Sequence, residues 1–212
     1  MITSWKHVTR WMSVSLSSLL LVLLLAACGG GSSSAATPTA QPPTATPTTA
    51  PTTAASTQTK TYTGTDFSIE YPASWTLQNT PSAVVFTDAQ KLNTLTFVTA
   101  PNPGGTISAS QQASAALALL ESSGGISNPQ PVSLPATTTV AGVSWVQRGV
   151  TGTVTSNGVT GPAEIIMLAN NHPASSPTTK TYEIYYGGPT LSFQQENSLV
   201  FQPMLQTFKF AS

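Results

Sequence analysis

Apolar and polar residues begin to alternate near Lys60 and continue to do so almost to the C-terminus. Phe67, Ile69 and Tyr71 fall on one face of the extended segment Thr65–Tyr71, and Asp66, Ser68 and Glu70 fall on the other. Pro72 ends that strand, and Trp75 follows in a turn. Ala83–Phe86 and Thr94–Val98 predict two more strands before Pro101-Asn102-Pro103-Gly104-Gly105 breaks the chain. The period then becomes helical. Ala109, Ala113, Ala116, Leu117 and Leu120 form a stripe, Ser108 with Gln111 reads as a capping box, and Gly124-Gly125 closes the helix. Extended patterning returns over Pro131–Val140, over Val143–Gln147 and on through Val150 and Val154, with Asn157-Gly158 as a hairpin turn and Glu164–Ala169 as the returning strand. Asn170–Thr179 reads as a loop, Thr181–Tyr186 as a strand, and Gly187-Gly188-Pro189 as its stop. Ser192 with Gln195 suggests a second capping box opening a helix through Leu199 and Val200, Pro203 a further turn, and Phe208–Phe210 a short closing strand. Strands, a helix, a meander of strands and a terminal helix together predict an α+β fold, a central antiparallel sheet flanked by helices.

Upstream of Lys60 the pattern disappears. Gly29–Thr59 holds no charge, no aromatic residue and no Val, Ile, Leu or Met. Such a segment cannot bury enough apolar surface to offset its chain entropy and is expected to be disordered. As a flexible coil it would span roughly 30 Å, and as polyproline helix ~95 Å. Before it, Lys6 and Arg10 precede an apolar stretch, Val14–Ala27, too short in its continuous core for a comfortable membrane span but laid out as a secretory signal. Leu25-Ala26-Ala27-Cys28 resembles a bacterial lipobox at every position. The resemblance implies a diacylglyceryl group on the Cys28 sulfur and cleavage that leaves Cys28 as the new N-terminus. Two acyl chains are about what stable anchoring requires. The expected organisation is a lipoprotein signal peptide at 1–27, a lipidated cysteine and Thr/Pro-rich linker at 28–60, and one folded domain at 61–212.

Charge removes several function classes. The chain has seven Lys plus Arg and seven Asp plus Glu; Lys6 and Arg10 leave with the leader, so five face seven in the mature part. No basic patch remains to hold nucleic acid. Cys28 is the only cysteine and His172 the only histidine after the leader, so the residues offer no metal cluster. Asp66 and Glu70 lie roughly 13 Å apart on one strand face, wider than typical paired catalytic carboxylates. His172 sits in a Pro- and Asn-rich segment without an acidic neighbour in sequence. Tyr185 and Tyr186 are adjacent, so a strand turns one of them outward. His172, Tyr185 and Tyr186 are therefore the candidate contact surface.

Phe67-Ser68-Ile69-Glu70-Tyr71-Pro72-Ala73-Ser74-Trp75 resembles the opening of PsbP-like domains, where a strand runs into Tyr-Pro-x-x-Trp. Phe201 through Met204-Leu205 to Phe208 resembles the same family's last helix and closing segment. The resemblance covers about residues 60–212 and implies a central antiparallel sheet flanked by helices. Its members include photosystem accessory proteins and many bacterial lipoproteins, and none of its metal-binding residues maps onto a position here, so no cofactor is implied. The resulting expectation is an extracytoplasmic lipoprotein held to the membrane by Cys28, acting as a non-catalytic binding or accessory module toward a protein or small ligand. The alternatives are a surface hydrolase using His172 with acids brought near by folding, and a purely structural envelope protein.

Overall fold

In the computed structural model, which describes residues 58–156 and 159–211, the alternating segments form two antiparallel sheets. Cys28, the segment read as signal and most of the linker, and the Asn157-Gly158 turn lie outside the described residues. The smaller sheet joins β1 (Thr59–Thr63), β2 (Phe67–Pro72) and β11 (Lys209–Phe210), with β2 in the middle. The larger sheet runs in the order β3 (Thr76–Asn79), β4 (Val84–Thr87), β5 (Thr94–Pro101), β10 (Lys180–Pro189), β9 (Val159–His172), β8 (Val143–Ser156) and β6 (Ser127–Pro131), and β7 (Thr137–Val140) also pairs with β8. β1 starts at Thr59, so Thr59 and Lys60 already pair with Pro72 and Tyr71.

This corrects the expected fold class. Among the described residues the protein is mostly β, at 49% strand against 23% helix, with two antiparallel sheets rather than one central sheet flanked by helices. Three local misreadings account for much of the difference. Asn170–His172, expected in a loop, completes the 14-residue strand β9, and Gly187-Gly188-Pro189, expected to stop a strand, stays in the β10 ladder opposite Ile165, Glu164 and Ala163. β1 and β3 carry too few apolar residues to alternate visibly, and their burial is correspondingly slight.

Helix α1 (Ala109–Ser122) follows its sequence signals. The Ser108 side chain accepts from Gln111 N, and the Gln111 side chain accepts from Ser108 N in return. At the other end Gly124 N bonds Glu121 O and Gly125 N bonds Leu120 O, closing the helix with a Schellman pair at the left-handed Gly124. Ala113 and Ala116 pack on Met167 and Ala169, where small side chains let the helix lie close to the sheet. Asn102, 3% exposed, fixes the approach to α1: its amide donates to Ile107 O and Thr181 Oγ1 and accepts from Ile107 N.

The opposite face of the large sheet holds the main core. Phe67, Ile69 and Tyr71 from β2 meet Phe86, Leu95, Phe97, Trp145, Leu168, Ile184 and Tyr186. The C-terminal helical segment covers the rest through Phe193, Phe201, Met204 and Leu205. It consists of α2 (Thr190–Glu196), a π-helical turn (Asn197–Phe201) and α3 (Gln202–Gln206). The second capping box does not form. α2 starts at Thr190 behind Pro189, and the Ser192 hydroxyl bonds Pro189 O.

Candidate functional site

The turn between β1 and β2 is closed by Gly64 N donating to Phe67 O, and it projects Asp66 toward the large sheet. The Asp66 carboxylate accepts from Lys180 Nζ on β10 and from Thr99 Oγ1 on β5 at 2.7 Å. Its backbone carbonyl accepts from the Tyr182 hydroxyl at 3.3 Å and from Ala211 N at 2.9 Å. One residue therefore ties the small sheet to two strands of the large sheet and to the C-terminal tail.

Beside Asp66 lies an open groove of about 430 Å³ between the β1–β2 turn and the β3–β4 turn. Phe67 and Phe97 lie on its apolar side, Tyr62 lines it, and Thr63, Thr65, Ser82 and Thr99 bring hydroxyls to it. A Cβ at Gly64 would meet the Tyr62 hydroxyl at 2.3 Å, so a larger residue there would push the Tyr62 ring aside in the groove.

The electrostatics of the groove follow from the ion pair. The hydrogen bond from Lys180, helped by Thr99, holds the Asp66 carboxyl below the usual carboxylate range against the opposing effect of burial. The same bond raises Lys180. Burial, and then the Asp66 charge, raise the Tyr62 phenol. At neutral pH Asp66 is thus an ionised acceptor with no proton to give, and Lys180 balances its charge. The two other carboxyls set into the sheet behave oppositely. Burial raises Glu164, which accepts from Gln194 at 3.4 Å, and raises Glu183, which accepts from the Tyr185 hydroxyl at 2.6 Å.

Asp66→Ala should cost about 1–2 kcal/mol at pH 7, a modest figure because the Lys180 head is solvated and screened. A carboxyl depressed in the folded state contributes fully above its ordinary value near 3.8 and loses that contribution as pH falls through the folded value. Urea titrations of wild type and variant should therefore differ at pH 7 and converge on acidification. A gap that stays constant from neutral to acidic pH would mean the charge plays no part.

The candidate contact residues are not brought together. His172 ends β9 opposite Lys180, half-buried, with its ring stacked on Phe210 at 3.7 Å and 9° and edge-on to Tyr182 at 6.5 Å. Tyr186 points into the main core at 2% exposure. Tyr185 points to the other face of the sheet, half-buried against the α1 cluster. The sequence pattern sets Asp66 on the polar face of its strand, too far from Glu70 to pair with it, and gives Lys180 no signal at all. The two are 114 residues apart, so only the fold makes them partners.

The fold thus defines an antiparallel two-sheet domain with α1 on one face of the large sheet and a C-terminal helical segment closing the main core, and with a polar groove beside the β1–β2 turn. No protein family matches the chain, and no curated protein matches it. Among solved structures, one from Bacteroides thetaiotaomicron VPI-5482 is similar with a TM-score of 0.43 at 10% identity, over 69% of this chain and 45% of that one, so this chain spans less than half of its length. LpqN of Mycobacterium tuberculosis, involved in cell envelope biogenesis, is similar with a TM-score of 0.45 at 12% identity, over 73% of this chain and 91% of that one.

Proposed function

We propose that the chain is an exported lipoprotein, held outside the cytoplasm by lipid on Cys28, whose β domain is a non-catalytic binding module with its ligand site in the groove beside Asp66. The observation that carries the binding reading is the groove itself. It is large enough for a small ligand, lined by hydroxyl-bearing residues that can donate and accept, and bordered by Asp66, whose carboxylate Lys180 and Thr99 keep ionised. Such a lining supplies oriented hydrogen bonds around an apolar floor, the usual composition of a binding cleft. The balanced Asp66–Lys180 charge favours an uncharged polar ligand over an anion or a cation. Leu25-Ala26-Ala27-Cys28 and the long uncharged segment after it support the anchoring.

Thermal unfolding with neutral ligands tests the groove. Maltose, N,N′-diacetylchitobiose and end-capped tripeptides form a suitable panel. A ligand at about a hundredfold excess over its Kd should raise the Tm by roughly 5–10 °C. Ser82→Trp, which places an indole in the groove from its exposed rim, should abolish the shift while leaving the unliganded Tm nearly unchanged. A panel that moves neither protein, or moves both equally, refutes the groove as the site.

A further inference from the structure

The C-terminal helical segment presents a line of leucine to solvent. Leu191 is 99% exposed and Leu199 66%. Eight residues of regular α-helix drift by about 80°, since each residue turns about 100°. The π-helical turn at Asn197–Phe201 is wider and takes up part of that drift. The result is visible on the inner side, where Phe193 and Phe201, also eight apart, are both buried at 1% and 0%. The same spacing aligns Leu191 with Leu199 on the outer side. The exposed residues between them are Gln194, Gln195 and Ser198, which carry no charge; the one charged residue of this stretch, Glu196, is half-buried.

The position where the chain enters the domain says what this line can meet. Gln58 O accepts from Ala73 N at 2.7 Å, and two residues further on the Trp75 ring packs edge-on against Phe201 at 5.9 Å. The chain therefore enters at the end of the small sheet, close in sequence to the Trp75 ring that packs on the buried side of that helical segment. Between Gln58 and Cys28 lies a single uncharged Thr/Pro/Ala/Ser-rich segment.

We propose that the Leu191–Leu199 line rests on the surface of the bilayer that holds the Cys28 lipid, an inference that depends on the lipoprotein reading. Two leucines hold a free domain only weakly. A tether of this length confines the domain near its anchor at an effective concentration on the order of millimolar, which converts a weak contact into a populated one. The fully exposed residues of this face carry no charge, so shallow entry into the headgroup zone leaves only the half-buried Glu196 to keep hydrated, and the contact requires no anionic lipid. The helix would then fix which side of the domain faces away from the membrane.

The test uses the full lipidated chain in phosphatidylcholine vesicles, with an environment-sensitive dye on Gln195→Cys and, as reference, on Ser114→Cys, exposed on α1 across the large sheet. The Gln195 dye should shift blue and lose at least half its emission to brominated acyl chains, and the Ser114 dye should do neither. Adding Leu191→Ser and Leu199→Ser should return the Gln195 dye to the reference behaviour with an unchanged Tm. Flotation with the vesicles reports the anchor separately. Protein that floats while the Gln195 dye stays unquenched overturns the leucine contact and leaves the anchor standing. Protein that does not float overturns both. A concentration-dependent blue shift without vesicles overturns the contact in favour of a second copy of the chain.

Discussion

Phe208→Ala should destabilise the domain by about 3–5 kcal/mol, the range expected when a buried phenylalanine is cut to alanine and the cavity cannot collapse. Phe208 is 2% exposed and sits where the two sheets meet. Its ring lies 5.7 Å from Phe67 on the small sheet, 5.8 Å from Phe97 and 5.5 Å from Trp145 on the large one, and 4.9 Å from Phe210. Strands anchored in two hydrogen-bonded sheets surround it, so neighbours cannot slide inward to fill the space. Edge-to-face pairs such as Trp145–Phe208, at 85°, add about 0.5–1.5 kcal/mol each beyond area burial. Urea unfolding followed by far-UV circular dichroism should show the midpoint falling with little change in slope. A loss below about 1 kcal/mol would mean that the sheets are held together elsewhere, since deleting a well-packed phenylalanine costs several times that.

That junction marks the limit of what sequence discloses here. The alternation at Phe67-Ile69-Tyr71 and at Leu95-Phe97 is readable because one face is buried, and both sets enter the main core. The ends of α1 are readable because capping is local chemistry. The partnership of Asp66 with Lys180 is not, because it depends on how the small sheet docks. The fold class failed for a related reason. Pattern reading stops a strand at glycine and proline, whereas β10 runs through Gly187, Gly188 and Pro189 because β9 pairs with all three. The tyrosine pair shows both sides of the matter. Pleating correctly separates Tyr185 from Tyr186, but only the structure shows that α1 lies on the Tyr185 face and that the small sheet and the C-terminal segment close the core on the Tyr186 face.

Gly187 states the packing argument in its sharpest form. Its neighbours in the ladder are Thr94 on β5 and Ile165 on β9, so it is flanked on both sides. A Cβ there would meet the backbone oxygen of Glu164 at 2.6 Å and the Ile165 Cα at 3.2 Å. The obstacle is main chain rather than the tip of a flexible side chain, so the strands themselves must part. Gly187→Ala should therefore cost about 2–3 kcal/mol, the upper part of the range for overpacking, and lower the Tm by roughly 5–10 °C. Gly124→Ala provides the contrast, because a Cβ there meets nothing within 4 Å and only the φ of +73° opposes it. Left-handed backbone alone costs an alanine about 1 kcal/mol, so the Gly124 variant should fall well short of the Gly187 variant. If the two lose equal stability, close approach of β9 to β10 is not what keeps a glycine at position 187.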